Sequence, residues 1–190
     1  MMRVLNVGGG ANRQLPKQYI GWEQDVLDID PNVKPDIVCD AKLMRKLPAA
    51  KYDAVFCSHN LEHFHKHEVP QVLDGFQHVL KSSGFAHIAV PDLMALMETV
   101  VTQRKDIDDT WYTSPSGPIP FHDVLYGFGK QIAMGNTYYC HKTGFSEKSL
   151  TKALKRARFV KVYTASDGCS LHAFAFKSQP TKAQLQRAGV

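Results

Sequence analysis

The chain has no apolar run of about 18 residues or more, which excludes a membrane-spanning helix. Cysteine is sparse. Cys39, Cys57, Cys140 and Cys169 stand far apart and never form a CxxC pair. That spacing speaks against a disulfide framework and a cysteine-based zinc site, so no metal is assigned and a reducing, cytoplasmic compartment is expected. The opening residues, MMRVLNVGGG, run into a strand and its glycines too early for a signal peptide. No GK[ST] follows those glycines, which excludes Walker-type phosphate binding. Internal repeats and low-complexity tracts are also missing.

What is present is an ordinary globular composition: 190 residues, 44% hydrophobic and 22% charged. This length buries one real core, with room for an insertion. The net charge of +5 is uneven, because residues 141–190 carry ten Lys/Arg against Glu147 and Asp167, while residues 1–140 are slightly acidic. A basic C-terminal third suits either a solvated helix face with a basic tail or an acidic partner such as nucleic acid.

Apolar runs ending in turn residues predict five strands in the first hundred residues: Arg3–Val7, Gln24–Ile29, Asp36–Cys39, Tyr52–Cys57 and Phe85–Val90. Val69, Val72, Leu73, Phe76, Val79 and Leu80 recur at helical spacing over residues 68–81, and Ser82-Ser83-Gly84 is expected to end that helix. Asp92 is a predicted N-cap for a helix to about Arg104, and Ser146 for one bearing Leu150, Ala153, Leu154 and Ala157. Phe159–Tyr163 and Leu171–Phe176 alternate as an antiparallel hairpin. The expected class is α/β: a Rossmann-like, seven-stranded, mostly parallel sheet closed by that hairpin. Residues 1–178 form one domain in this reading, 105–140 a loop or lid insertion, and 179–190 a basic tail frayed from Ser178.

Ligands of such sheets bind beyond the carboxyl ends of the strands, at the switch point. There the first strand gives Gly8-Gly9-Gly10, and an acidic strand end, Asp28 or Asp30, follows twenty residues after Gly8. Glycines admit a close backbone approach, and a carboxylate accepts both ribose hydroxyls. The third glycine of a dinucleotide fingerprint is replaced by Arg13, and Pro16 interrupts the segment where a first helix would stand. A shortened first helix favours a nucleoside with a zwitterionic tail over a pyrophosphate, which wants a helix N-terminus.

LNVGGG, VLDIDP, IVCDA, YDAVFCSHNLEH and VLKSSGFAHIAVPD, in that order, resemble the motifs of class I S-adenosylmethionine-dependent methyltransferases. The likeness is greatest to a small, type 11-like branch with an LEH segment after the fourth strand, and it covers residues 2–95; HKTGFS and ARFVKV match more loosely. The resemblance implies S-adenosylmethionine as cofactor. It places Gly8, Gly9 and Gly10 by the methionine moiety, Asp28 and Ile29 at the ribose, and Asp40 with Ala41 at the adenine amino group. Ser58 and His59 would line the methyl-transfer side. The sequence departs from the family at Asn6, where an acidic residue is usual, in its short first helix, and at Ser82-Ser83-Gly84 in place of PGG.

Transfer to a hydroxyl would use a general base, for which His59, His122 and His141 are candidates, with Tyr126 orienting the acceptor. There is no Asn/Asp-Pro-Pro-Tyr/Phe or Pro-Cys motif after the fourth strand, where methylases of nucleic-acid bases carry one. A small-molecule acceptor is the resulting expectation. HNLEH also matches the H-x-x-E-H of a zinc peptidase group, so a zinc hydrolase built on His59, Glu62 and His63 is one alternative. A non-catalytic binding module on the same scaffold is the other.

Overall fold

In the computed structural model, which describes residues 1–114 and 117–190, the first half of the chain alternates strand and helix. β1 (Arg3–Val7), β2 (Glu23–Asp28), β3 (Ile37–Val38) and β4 (Tyr52–Ser58) precede α1 (Val69–Val79), β5 (Leu80–Pro91) and α2 (Leu93–Gln103). Then come β6 (Thr110–Ser114), β7 (Gly117–Pro120), α3 (Phe121–Tyr126), α4 (Gly129–Ala133) and α5 (Glu147–Arg156). β8 (Lys161–Ser166), β9 (Ser170–Phe176) and α6 (Lys182–Ala188) complete the order. The main sheet has seven strands in the order β3-β2-β1-β4-β5-β9-β8. β1 to β5 pair in parallel, and β9 runs antiparallel to both β5 and β8. The strand order reverses between β1 and β4, which makes the crevice beyond their carboxyl ends the place for a ligand. Among the described residues, no helix is long and apolar enough to cross a membrane.

α1 carries its apolar stripe inward, burying Val69, Val72, Leu73, Phe76 and Val79. These pack with Leu5, Val55 and Ile88 of the sheet and with Leu150 and Leu154 of α5. Both expected caps form. Asp92 accepts from the amides of Met94 and Ala95, and Ser146 forms a reciprocal capping box with Ser149.

Among the described residues, no long helix covers the other sheet face. Residues 11–16 are irregular and Lys17–Tyr19 is a single 3₁₀ turn, as Pro16 leads one to expect. Aromatic rings cover this face instead: Tyr19 lies edge-on to Trp22 at 5.2 Å and stacks on Phe85 at 6.4 Å.

Three expectations differ from the structure. β5 starts at Leu80 and so runs through Ser82-Ser83-Gly84, because a register shift against β4 between Tyr52 and Ala54 absorbs the irregularity. The C-terminal residues do not fray: Thr181 and Gln184 form a capping box for α6, which packs Leu185 and the fully buried Ala188 against Tyr19 and Val4. Residues 105–140, expected as a loop or lid insertion, hold the antiparallel pair β6–β7 and α3, which pack with Leu96 around Phe121 and Val124, and the short helix α4. The part of that segment at 115–116 lies outside the described residues.

Candidate functional site

At the carboxyl ends of β1, β2 and β4 lies a cavity of about 550 Å³. Its floor is the glycine turn. Gly8 and Gly10 have φ of +71° and +56°, the left-handed region that glycine enters freely. A Cβ on Gly8 would fall 2.2 Å from Asn60 Nδ2, so only a hydrogen allows Asn60 to pack over the turn. A Cβ on Gly10 would meet nothing within 4 Å, because that position faces open space.

Asp28 ends β2 beside this turn. One carboxylate oxygen accepts from the Gly10 amide at 3.0 Å and the other from the Asp30 amide at 3.0 Å. Each oxygen keeps a lone pair for further donors. Asp30 also lines the cavity, but its Oδ1 accepts from the Asn32 amide at 2.9 Å and from Asn32 Nδ2 at 2.8 Å, capping the next turn. Ile29 lies between the two and lines the cavity with a partly exposed apolar side chain. Across the cavity, Asp40 caps the 3₁₀ segment Ala41–Lys46 by accepting from the Lys42 amide at 2.9 Å. Lys42 Nζ reaches Asp40 at 3.6 Å and Glu68 at 2.7 Å, tying the rim together.

The opposite end is built after β4. His59 has φ +47°, its amide donates to the Ala89 carbonyl, and it heads a 3₁₀ turn at Leu61–His63. His59 and His63 therefore do not share a helix, the geometry an H-x-x-E-H zinc peptidase site requires. His59 Nδ1 lies 3.5 Å from Oε1 of the buried Glu62, and its Nε2 lies 3.2 Å from Ser170 Oγ. Burial draws the His59 pKa down, but the Glu62 carboxylate outweighs this and holds it above the usual histidine value. Burial likewise pushes Glu62 up, and the surrounding His59, His63 and His141 imidazoles bring it net below the usual carboxylate range. Both shifts follow from one buried negative charge among histidines.

The cavity thus collects Gly8, Gly10, Asp28, Ile29, Asp40, Ala41 and His59 from the sequence-predicted set. Gly9 stands behind the turn, where a Cβ would press on Asn6 and Val26, and Ser58 is not in the lining. Neither of the other base candidates lines the cavity, nor does Tyr126: the His122 and Tyr126 rings lie tilted at 47° with centroids 5.0 Å apart, and His141 hydrogen-bonds to the Val124 carbonyl at 2.8 Å. Sequence reasoning missed Asn60, and it missed Gln131, Asn136, Tyr138, Tyr139 and Lys142, which wall the cavity from beyond β7. Their only sequence signal is the irregular, tyrosine-rich insertion itself.

The sheet order, the glycine turn and the acidic strand ends are those of a class I S-adenosylmethionine-dependent methyltransferase. Residues 5–88 match the sequence profile of a methyltransferase domain. No curated protein gives a significant match. Among solved structures, a SAM-dependent methyltransferase from Archaeoglobus fulgidus is 17% identical, with a TM-score of 0.59 over 93% of this chain and 86% of that one. A Methanosarcina mazei SAM-dependent methyltransferase is 13% identical, with a TM-score of 0.57 over 92% of each chain. The Burkholderia thailandensis 1,6-didemethyltoxoflavin-N1-methyltransferase, solved with 1,6-didemethyltoxoflavin and S-adenosylhomocysteine, is 17% identical, with a TM-score of 0.55 over 93% of this chain and 71% of that one. At these identities the likeness is one of fold.

Proposed function

We propose that this protein transfers a methyl group from S-adenosylmethionine to a small-molecule acceptor. The observation that carries the reading is the convergence of Gly8, Gly10, Asp28 and Asp40 on one cavity at the switch point. The residues fit the cofactor. The space over Gly10 suits a close-lying methionine moiety, with Gly8 and Gly9 shaping the turn beneath it. Asp28 offers two acceptor oxygens to the ribose, with Ile29 as its apolar neighbour. Asp40 accepts from the adenine amino group, with the backbone of Ala41 beside it.

The bound cofactor supplies an activated sulfonium methyl group. The chain's own task is alignment and exclusion of water, which supply most of what such a displacement needs. His59, next to Ser58 at the β4 end, faces the transfer side. With Nδ1–H directed at Glu62, its Nε2 carries the lone pair, which meets Ser170 Oγ at 3.2 Å and would take a proton from an acceptor hydroxyl that displaces that contact. Tyr138, Tyr139 and Lys142 bound the space left for that acceptor. A neighbour of the same fold, solved with a small heterocyclic substrate, supports a small-molecule acceptor.

Titration calorimetry with S-adenosylhomocysteine tests the reading: one site per chain is the expected result. No binding at millimolar ligand would remove the enzyme assignment and leave a scaffold. Transfer of labelled methyl from S-adenosylmethionine to a panel of small hydroxyl and amine compounds then identifies the acceptor class.

A further inference from the structure

Glu62 is 1% exposed, and neither of its carboxylate oxygens accepts a hydrogen bond. A buried carboxylate left in this state is costly unless a cation faces it. Oε1 lies 3.5 Å from His59 Nδ1 and 3.9 Å from His141 Nε2, and neither contact is a hydrogen bond. His63 and His141 pack edge to face, with ring centroids 4.9 Å apart. The Nδ1 of His63 is 3.0 Å from the Cys140 carbonyl, and that of His141 is 2.8 Å from the Val124 carbonyl. A carbonyl only accepts, so both Nδ1 atoms carry their proton and both Nε2 lone pairs are left free. Imidazoles fixed in this way, by N–H donation to backbone oxygen, are the arrangement found around metal-ligating histidines. One ligating atom from each of Glu62, His63 and His141 lies within 4.8 Å of the others.

We propose that Glu62, His63 and His141 form a binding site for a divalent transition-metal ion of the zinc class, behind the cavity wall at His63. Two imidazoles and one carboxylate suit zinc, cobalt or ferrous iron, and they do not suit calcium or magnesium, which take oxygen ligands. Bonds of about 2.0–2.2 Å require the three atoms to close in slightly on the ion. The set differs from a peptidase site: Glu62 is a ligand rather than a base, and His141 replaces His59. The backbone is already arranged for it, since the Glu62 carbonyl accepts from the amides of Lys142 and Thr143 at 2.8 and 3.1 Å. The ion would fasten the segment carrying Tyr139 and Lys142 to the end of β4. Three protein ligands leave a position for water or an acceptor atom, and His63 borders the cavity.

The test uses the full chain, stripped with chelator and titrated with cobalt(II) alone. Wild type is expected to bind one ion with the visible absorption of a four- or five-coordinate site, and zinc should displace it. Glu62→Gln and His141→Gln should weaken binding by more than the roughly 10–100-fold that loss of a supporting contact costs. The double variant His65→Ala/His67→Ala removes an exposed, stacked histidine pair and should bind as wild type does. Absence of a site in wild type, binding unchanged in His141→Gln, or binding lost with the exposed pair would each overturn the proposal. Should Glu62→Gln not fold, melting curves of wild type and His141→Gln with and without zinc decide the matter: only wild type should be stabilised. None of these readouts requires the cofactor, so failure here is distinguishable from failure of the methyltransferase reading.

Discussion

Replacing Asp28 by alanine should separate the two jobs its carboxylate does. Toward the ligand, it would accept from two ribose hydroxyls. A hydrogen bond to a charged group contributes a net of about 1.5–3 kcal/mol. At about 1.4 kcal/mol per decade, losing one such bond weakens S-adenosylhomocysteine binding about 10–150-fold. Toward the protein, Asp28 holds the Gly10 and Asp30 amides, each at 3.0 Å in a partly exposed setting. Water replaces these bonds in the variant, so the stability loss should stay near 1 kcal/mol and lower Tm by about 2–4 °C. Asp28→Asn refines the test, because its amide nitrogen would face a backbone N–H and forfeit one turn contact. Asp30→Ala is the control: its Oδ1 accepts from Asn32. Calorimetry and thermal melts on the three variants give both readouts. If Asp28→Ala binds as wild type while Asp30→Ala does not, the assignment of the ribose to Asp28 is refuted.

Gly8→Ala places a methyl against Asn60 in a left-handed conformation, so it should cost at least about 1–2 kcal/mol and lower Tm even without ligand. Gly10→Ala carries the conformational cost alone, and its methyl projects into the cavity, so its affinity loss should exceed its stability loss; equal Tm drops for the two variants would contradict the geometry. His87 supplies a pH dependence. It is 3% exposed, it stacks on Phe174, and its nitrogens face Gln18, Tyr19 and His172; burial and the neighbouring His172 push its pKa down to about 3. The unfolded chain binds this proton below about pH 6.5 while the folded chain does not, so stability is full above that pH and falls as the solution is acidified toward pH 3. About 2 kcal/mol should be lost by pH 5, measured by urea unfolding, and His87→Phe should flatten that part of the profile.

Much of this fold was legible because its signals are local. β1 and β4 are mostly apolar runs, α1 shows a clean inward stripe, and Asp92 and Ser146 stand directly before the helices they cap. The early start of β5 was hidden because a bulge is a property of two strands together, and Lys81-Ser82-Ser83-Gly84 alone reads as a turn. α6 was hidden by its polar, basic composition, although Thr181 and Gln184 carried the capping signal. At the site, the glycine turn and Asp28 followed from spacing along neighbouring strands. The approach of His141 to Glu62 did not, since it joins residues far apart in sequence through an insertion without periodicity.

The aromatic face of the sheet has a consequence for how the protein is made. Val4 and Tyr19 are synthesised well before Leu185 and Ala188, which pack with them from more than 160 residues away in sequence. Tertiary closure of that side therefore waits for residues 182–188.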